Sequence, residues 1–331
     1  SSSDVKDLPT AAWVKFFREC GECGVLDVCL AGGEPFIRPD LKDLVDAIVE
    51  NRMRFSLLSN GTLVTKDMAK FLARTGRCDY VQVSIDGSKA AAHDACRGKG
   101  TWDKALRGFH ILQDCGVNVA VRVTIHKYNI EDLPDIAKML LEDLGLSSFG
   151  TNSAGYMGLC RGNSGFVQLD ARERTRAMEL LLSLNRRYEG RINAQAGPLA
   201  EAQHWQKLVA ARRDGKDSLP NCGRLTGCGC PWSKIAVRSD GTYVPCGMLS
   251  HIELGRINRD SLREVWQTHP ELDRIRHRHE IPLSSFKFCE GCEFINYCTG
   301  NCPALAWTMI GDVYHPSPDA CLREFLQQGG R

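Results

Sequence analysis

The stretch VLDVCLAGGEP, residues 25–35, decides the fold of this 331-residue chain. It opens with a short, mostly apolar run of the kind that forms a buried strand in a parallel sheet. A Gly-Gly turn follows, and a helical pattern of apolar residues begins near Pro39 and Asp40. Strand, turn and helix in this order indicate the start of a βαβ unit.

The alternation of strands and helices continues through the first 150 residues. Apolar, β-branched runs at 54–60, 80–86, 117–125 and 146–152 are separated by segments whose apolar residues recur three or four positions apart. Successive right-handed βαβ units predict an α/β fold with a parallel sheet, in the form of an incomplete barrel. In such sheets ligands bind beyond the carboxyl ends of the strands.

The character of the sequence changes near residue 222. A helix over 170–188 closes the first region, and the polar segment 210–221 is predicted to be a linker. Short pieces follow: a hairpin in SKIAVRSDGTYVPC with its turn at 239–241, one helix over 260–277, and a cysteine-rich end. We therefore predict two domains, residues 1–221 and residues 222–331.

Composition excludes several classes of protein. The net charge of +2 offers no broad electrostatic footprint for nucleic acid, so a small or peptidic partner is expected. No apolar run approaches the roughly 18 to 20 residues that span a bilayer, and residues 1–10 have no signal-peptide character. The sequence predicts a cytoplasmic protein that does not bind membranes.

The sixteen cysteines need a reason, because a reducing compartment does not favour structural disulfides. Seven are scattered through the first 221 residues and are typical of small core hydrophobes, Cys20 and Cys23 among them. Nine are concentrated towards the end of the chain, which indicates metal ligation. These nine are Cys222, Cys228, Cys230, Cys246, Cys289, Cys292, Cys298, Cys302 and Cys321.

Small polar or glycine residues end three successive strands, in GGEP (32–35), LSNGT (58–62) and VSIDG (83–87). Since parallel strands end at the same edge of a sheet, we predict one shared pocket there. The glycines let the backbone approach a ligand closely, and Glu34 can receive an ammonium group. The candidate binding residues are Gly32, Gly33, Glu34, Pro35, Ser59, Asn60, Ser84 and Asp86.

The spacing of the C-terminal cysteines resembles a known pattern. From Cys230 it passes Gly241 and Cys246, then continues as C-x2-C-x5-C-x3-C over 289–302, and ends at Cys321. This spacing resembles the seven-cysteine signature of the SPASM module, and the GGEP barrel before it is similar to radical S-adenosylmethionine (SAM) enzymes. SNGT, SIDG, HDACRGKGTWDKALRG and GDVYHPSPDAC also have counterparts in that family. The resemblance implies a partial (β/α)6-type barrel followed by a small SPASM domain that binds Fe-S clusters.

The resemblance also implies the cluster ligands, because SPASM modules hold two auxiliary 4Fe-4S clusters on thiolates. One cluster would use Cys230, Cys246 and Cys302. Cys222 is the favoured fourth ligand; Cys228 is the alternative and is also able to take the place of Cys230. The other cluster would use Cys289, Cys292, Cys298 and Cys321. Two zinc sites of four cysteines each are the competing interpretation.

For SAM, the resemblance implies that Gly32, Gly33 and Glu34 take the amino group. It places Ser59, Ser84, Asp86 and Arg97 near the ribose or carboxylate. Asn129 is a weaker candidate, since an asparagine there is also suited to capping the next helix. The sequence identifies no catalytic residue.

Radical SAM enzymes bind their initiating 4Fe-4S cluster through CxxxCxxC after the first barrel strand, ahead of the helix expected here over 10–20. That motif is absent, and CGEC (20–23) lacks the third cysteine. Either a further N-terminal segment carries the initiating cluster, which the SAM-type strand ends favour, or the protein has lost this cluster.

The implied activity is hydrogen abstraction by a 5′-deoxyadenosyl radical, with a peptide or protein as substrate and a flavodoxin or ferredoxin as electron donor. A thioether or carbon–carbon crosslink in a ribosomal peptide is the preferred product. Gly247 stands after Cys246 where sulfatase-maturing relatives carry Asp, which disfavours that activity. The alternatives are a tetrapyrrole-modifying radical SAM enzyme and a non-catalytic Fe-S or zinc protein that binds peptides.

Overall fold

A computed structural model describes residues 6–155, 162–225 and 229–331. Six parallel strands pair in the order of the chain, and an antiparallel three-stranded sheet follows. The large sheet comprises β1 (Asp27–Leu30), β2 (Arg54–Ser59), β3 (Cys78–Ser84), β4 (Val119–Ile125), β5 (Phe149–Ser153) and β6 (Ile192–Ala194). The small sheet comprises β7 (Ala236–Val237), β8 (Thr242–Val244) and β9 (Gly255–Arg256).

The described helices lie between and beyond these strands. Those of the first region are α1 (Thr10–Glu22), α2 (Leu41–Glu50), α3 (Lys66–Arg74), α4 (Ala90–Arg97), α5 (Thr101–Asp114), α6 (Leu133–Lys138), α7 (Ser164–Val167), α8 (Ala171–Arg187) and α9 (Pro198–Arg213). Those of the second region are α10 (Cys230–Ser233), α11 (Leu262–Thr268), α12 (Pro270–Arg276), α13 (Pro303–Ile310) and α14 (Leu322–Gln327). A π-helical turn, Met139–Asp143, extends α6. None of the described helices combines the length and apolarity needed to cross a membrane.

The strand order decides where the helices lie. Right-handed crossovers between strands in consecutive order place the helices on one face of the sheet, as in a barrel. The side chains on that outer face, such as Val83, Val123 and Ile125, are completely buried. They share one core with helical residues such as Phe109 and Leu140. The predicted α/β fold with an incomplete parallel barrel is confirmed.

Three details of the sequence-based prediction differ from the structure. The sheet has a sixth strand, β6, whose three residues are too few to show an alternating pattern. The single helix expected over 260–277 is divided at His269, because Pro270 lacks an N–H and restricts the residue before it. The predicted hairpin is present as β7 and β8. The predicted linker overlaps α9, which continues to Arg213.

The N-terminal helix α1 joins the two regions of the chain. The backbone N–H of Leu8 donates to the carbonyl of Ser239 in the hairpin turn at 2.9 Å. The Glu19 carboxylate accepts from the backbone N–H at the start of α11 at 2.7 Å. The rings of Phe16 and Tyr243 meet edge to face, 5.8 Å apart. Packing against α1 therefore fixes the small sheet relative to the barrel.

Helix α5 approaches the loop after β2 so closely that it requires a glycine. A Cβ atom at Gly108 would lie 2.1 Å from the carbonyl oxygen of Gly61. That loop carries Asn60 and follows Ser59, two of the predicted pocket residues. The absence of a side chain at Gly108 therefore positions part of the pocket.

We expect Gly108→Ala to lower the free energy of unfolding by about 1–3 kcal/mol, because the methyl group displaces backbone. Helix propensity alone favours alanine by about 1 kcal/mol, so any loss measures the close approach. Urea unfolding followed by circular dichroism gives the comparison. The control is Gly165→Ala in α7, where a Cβ would meet no atom within 4 Å. Equal stability of the two variants would contradict the packing described.

Candidate functional site

Glu34 is held by the loop that follows the neighbouring strand. One carboxylate oxygen accepts from the Ser59 hydroxyl at 2.8 Å, and the other accepts from the backbone N–H of Asn60 at 2.7 Å. The Phe36 backbone N–H lies 3.3 Å from the first oxygen. The carboxylate is half-buried, so its orientation is fixed while part of it faces solvent.

The two glycines before Glu34 leave open space above the backbone. Gly32 has a φ of 138°, a conformation that favours glycine. A Cβ atom at Gly32 or at Gly33 would meet nothing within 4 Å. The backbone polar groups of this loop are therefore accessible to a ligand. Pro35, which follows Glu34, is buried and begins a short 3-10 turn.

The Ser59 hydroxyl and the Asn60 side-chain oxygen form hydrogen bonds within the protein. The buried Ser59 hydroxyl donates to Glu34 and accepts from the Gly61 backbone N–H at 2.8 Å. The Asn60 side-chain oxygen accepts from the backbone and the hydroxyl of Thr62. These contacts shape the loop and orient Glu34, and ligand binding by Ser59 and Asn60 stays a prediction.

Asp86 lies at the centre of the other half of the site. Its carboxylate is 3% exposed; one oxygen accepts from the Thr124 backbone N–H at 2.7 Å, and the other is paired with the Arg97 guanidinium. The Asn129 side chain donates to the Asp86 and Thr124 carbonyl oxygens at 2.9 Å each. Asn129 therefore joins the ends of β3 and β4 and does not cap the next helix.

These contacts change the role expected of Asp86. Both carboxylate oxygens are engaged by the protein, so Asp86 is suited to positioning Arg97 rather than to binding a ligand itself. Arg97 ends α4 and remains partly exposed. Ser84, the last residue of β3, is half-buried and precedes Asp86 by two residues.

Two buried histidines, which no sequence pattern marks as site residues, adjoin Asp86. The His93 Nδ1 accepts from the Asp86 backbone N–H at 3.0 Å, and the His126 Nδ1 accepts from the Tyr128 backbone N–H at 3.2 Å. Burial lowers the pKa of both imidazoles, which keeps them neutral. Their only sequence signal was their place in HDACRGKG and TIHKY, and a single histidine has no spacing pattern to mark it.

Four of the C-terminal cysteines meet as predicted. Cys289, Cys292, Cys298 and Cys321 line one cavity, together with Arg323. Burial, reinforced by the neighbouring thiols, raises the pKa of Cys289 to about 11, while Arg323 opposes the shift. Four thiols around one cavity beside a cation are the donor set that an iron-sulfur cluster takes.

The other predicted ligand set is brought together in part. Cys246 and Cys302 pack against the same small apolar cluster, which includes Ile275. Cys230 begins α10, and α10 contacts the helix that carries Ile275. Cys222 lies next to Cys298 of the other set, since the Gly223 N–H donates to the Cys298 carbonyl at 2.8 Å. Cys228 falls outside the described residues.

The geometry of the thiols bears on which metal they suit. Across residues 6–155, 162–225 and 229–331, no three His, Cys, Asp or Glu side chains are arranged to hold one metal ion. A zinc site needs four sulfurs at about 2.3 Å from a single ion. A 4Fe-4S cluster needs one thiolate per iron, and the four cysteines that line one cavity match this ligand count.

Comparisons with known proteins agree with both halves of the chain. A model of the radical SAM superfamily matches residues 2–140, and a model of an iron-sulfur cluster-binding domain, SPASM, matches residues 228–293. The two domains imply 4Fe-4S clusters and SAM as cofactors.

The similar proteins include a porphyrin synthase and a peptide cyclase. Fe-coproporphyrin III synthase of Methanosarcina barkeri is 29% identical, over 89% of this chain and 75% of the relative. PqqA peptide cyclase of Ruegeria pomeroyi is 24% identical, over 95% of this chain and 79% of the relative. SuiB of Streptococcus suis, solved with its precursor peptide SuiA, superposes with a TM-score of 0.71 at 17% identity, over 97% of this chain and 71% of SuiB.

We expect the double variant Cys292→Ser/Cys298→Ser to contain about four fewer irons per chain than the unaltered protein, because one cluster loses half of its ligands. Iron, acid-labile sulfide and zinc are measured on the same anaerobically purified samples. The matched control is Cys23→Ser/Cys78→Ser, which removes two half-buried thiols of the barrel region. Loss of zinc without loss of sulfide would show that the cavity holds zinc.

Proposed function

We propose that this chain, which belongs to the radical SAM enzymes with a C-terminal SPASM domain, modifies a peptide substrate by abstracting a hydrogen atom from a C–H bond. The proposal rests on the carboxyl edge of the parallel sheet. There the oriented Glu34 carboxylate and the Arg97 guanidinium, held by Asp86, lie near the ends of neighbouring strands. A carboxylate is suited to the ammonium group of an amino-acid ligand, and an arginine is suited to its carboxylate.

The proposed SAM contacts divide between the two halves of this edge. Glu34 and the open backbone of Gly32 and Gly33 take the amino group, because three hydrogen-bond donors fix the orientation of the Glu34 carboxylate. Arg97 takes the SAM carboxylate, and Asp86 fixes the guanidinium for that contact. Ser84 remains a candidate for the ribose or the carboxylate.

When bound and reduced, SAM would supply the 5′-deoxyadenosyl radical that abstracts the hydrogen atom. The protein binds and orients SAM through the groups above, and its inner face holds the substrate. The two C-terminal cysteine sets are proposed to hold auxiliary clusters, with Cys289, Cys292, Cys298 and Cys321 as one set. The other set is Cys230, Cys246 and Cys302, completed by Cys222 or Cys228. A flavodoxin- or ferredoxin-type electron donor is part of the proposal.

A peptide substrate is supported by similarity to the peptide cyclases and by the fold shared with SuiB. Crosslink formation, as a thioether or a carbon–carbon bond, is the reaction we favour. The second candidate substrate is a tetrapyrrole, which the similarity to Fe-coproporphyrin III synthase and to AdoMet-dependent heme synthases supports.

The test uses the complete natural protein, purified without oxygen, reduced with dithionite and supplied with SAM. We expect 5′-deoxyadenosine to form, and a precursor peptide encoded beside the gene to lose two hydrogens on crosslinking. Mass spectrometry measures both products. Parallel samples receive coproporphyrin III in place of the peptide. Failure to cleave SAM would overturn the proposal, and turnover of the tetrapyrrole alone would replace the peptide as substrate.

We expect Asp86→Asn to weaken SAM binding about tenfold, because the amide no longer holds Arg97 by a charge-assisted pair. Equilibrium dialysis with labelled SAM measures the dissociation constant, after a melting curve has shown that the variant is folded. The control is Asp67→Asn, which removes an exposed carboxylate paired with Lys42 on the helical side of the sheet. Equal affinities in the two variants would contradict the role of Asp86.

A further inference from the structure

The inner face of the partial barrel is polar. Residues alternate between the two faces of a strand, so the neighbours in sequence of the buried outer residues point inward. The strand registers place these inner residues side by side across the sheet. They include Ser56 and Leu58 on β2, Tyr80, Gln82 and Ser84 on β3, Arg122 and Thr124 on β4, Gly150 and Asn152 on β5, and Asn193 on β6.

Arg122 occupies the middle of this face. Its Cα is in register with Ser84 on one side and with Gly150 on the other. The guanidinium Nε donates to the Gln82 side-chain oxygen at 3.3 Å. Gly150 makes room for the group, since a Cβ there would lie 3.2 Å from the Arg122 Nε. Gln82 and Gly150 therefore hold the guanidinium over the sheet.

No carboxylate of the described residues neutralises the charge of Arg122. In the described part of the chain, no carboxylate lies within 4.0 Å of its guanidinium nitrogens, and Gln82 is its one hydrogen-bond acceptor. Arg54 also lies on the inner face, but it is paired with Asp79. Arg97, at the carboxyl edge of the sheet, is paired with Asp86. A half-buried cation without a counter-charge costs free energy, which an anionic ligand would offset.

A second polar group on the same face also lacks a partner. The side-chain oxygen of Asn152 is buried and has no hydrogen-bond partner among the described residues. Asn152 is in register with Thr124, two residues beyond Arg122 towards the carboxyl edge. An arginine with free donors and an asparagine oxygen that lacks a donor are suited to a ligand that carries both a carboxylate and an N–H group.

We propose that Arg122 binds a carboxylate of the peptide substrate, with Gln82 and Gly150 as positioning residues for its guanidinium. This inference rests on the proposed function. Arg122 stands level with Ser84, where β3 ends, and neighbouring strands are about 4.8 Å apart. A carboxylate bound there would anchor the substrate inside the barrel, directly below the edge that carries Glu34 and Arg97. The terminal nitrogens of Arg122 offer the fork geometry that a carboxylate matches.

The probe is a library of capped pentapeptides that vary at the central residue, passed over the complete protein with its clusters and SAM bound. Mass spectrometry of the retained peptides gives the enrichment of Glu over Gln and of Asp over Asn. We expect the unaltered protein to favour the acidic member of each pair about tenfold or more. Arg122→Gln should abolish this preference, and Arg122→Lys should retain part of it.

The matched control is Arg54→Gln, which removes an arginine of the same inner face that already has a carboxylate partner. It should leave the enrichment unchanged. The SAM dissociation constant and reductive formation of 5′-deoxyadenosine are measured on every variant. A failure of the unaltered protein to cleave SAM would count against the proposed function, whereas the peptide enrichment reports on Arg122 separately.

The inference would be overturned if the unaltered protein showed no acidic preference, or if the Arg122→Gln variant kept that preference. Weaker SAM binding in Arg122→Gln with unchanged enrichment would assign Arg122 to the carboxylate of SAM. Binding of coproporphyrin III that depends on Arg122, without retention of acidic peptides, would assign it to a tetrapyrrole carboxylate.

Discussion

The order of the six parallel strands is the constraint on which the rest of the structure depends. Because the strands pair in chain order through right-handed crossovers, their helices cover one face and their carboxyl ends share one edge. The first consequence is a continuous outer core, in which residues such as Val83 and Ile125 are completely buried. The second is an inner face without helices, which is free to carry polar groups. The third is a single edge at which loops from different strands form one site.

Within that edge, two carboxylates have different tasks. Glu34 is oriented by donors from the adjacent loop yet stays partly exposed, whereas Asp86 is buried and engaged on both oxygens. The difference follows from position, since Glu34 lies in an open loop and Asp86 lies beneath α4. A buried carboxylate paired with an arginine fixes the arginine, and the arginine remains available to a ligand. The site thus consists of contact groups supported by a layer of positioning groups.

The C-terminal region depends on its cysteines because it has little core of its own. Its apolar residues form several small clusters, and three of these clusters include predicted ligands such as Cys246, Cys289 and Cys292. Small modules of this kind gain much of their folding free energy from metal binding. The contacts of α1 with the hairpin and with α11 then fix the module against the barrel.

The sequence by itself determined the fold class, the polar strand ends and the concentration of cysteines near the end of the chain, because strand periodicity, glycine turns and cysteine spacing are local patterns. The predicted hairpin follows directly from such a pattern, whereas the grouping of four cysteines around one cavity was implied by the family resemblance. Only the tertiary structure decided what each polar residue faces. Ser59 orients Glu34, Asp86 holds Arg97, and Arg122 on the inner face has no carboxylate partner within the described part of the chain. These roles depend on registers between strands and on burial by distant helices, and neither is written in the spacing of residues along one segment.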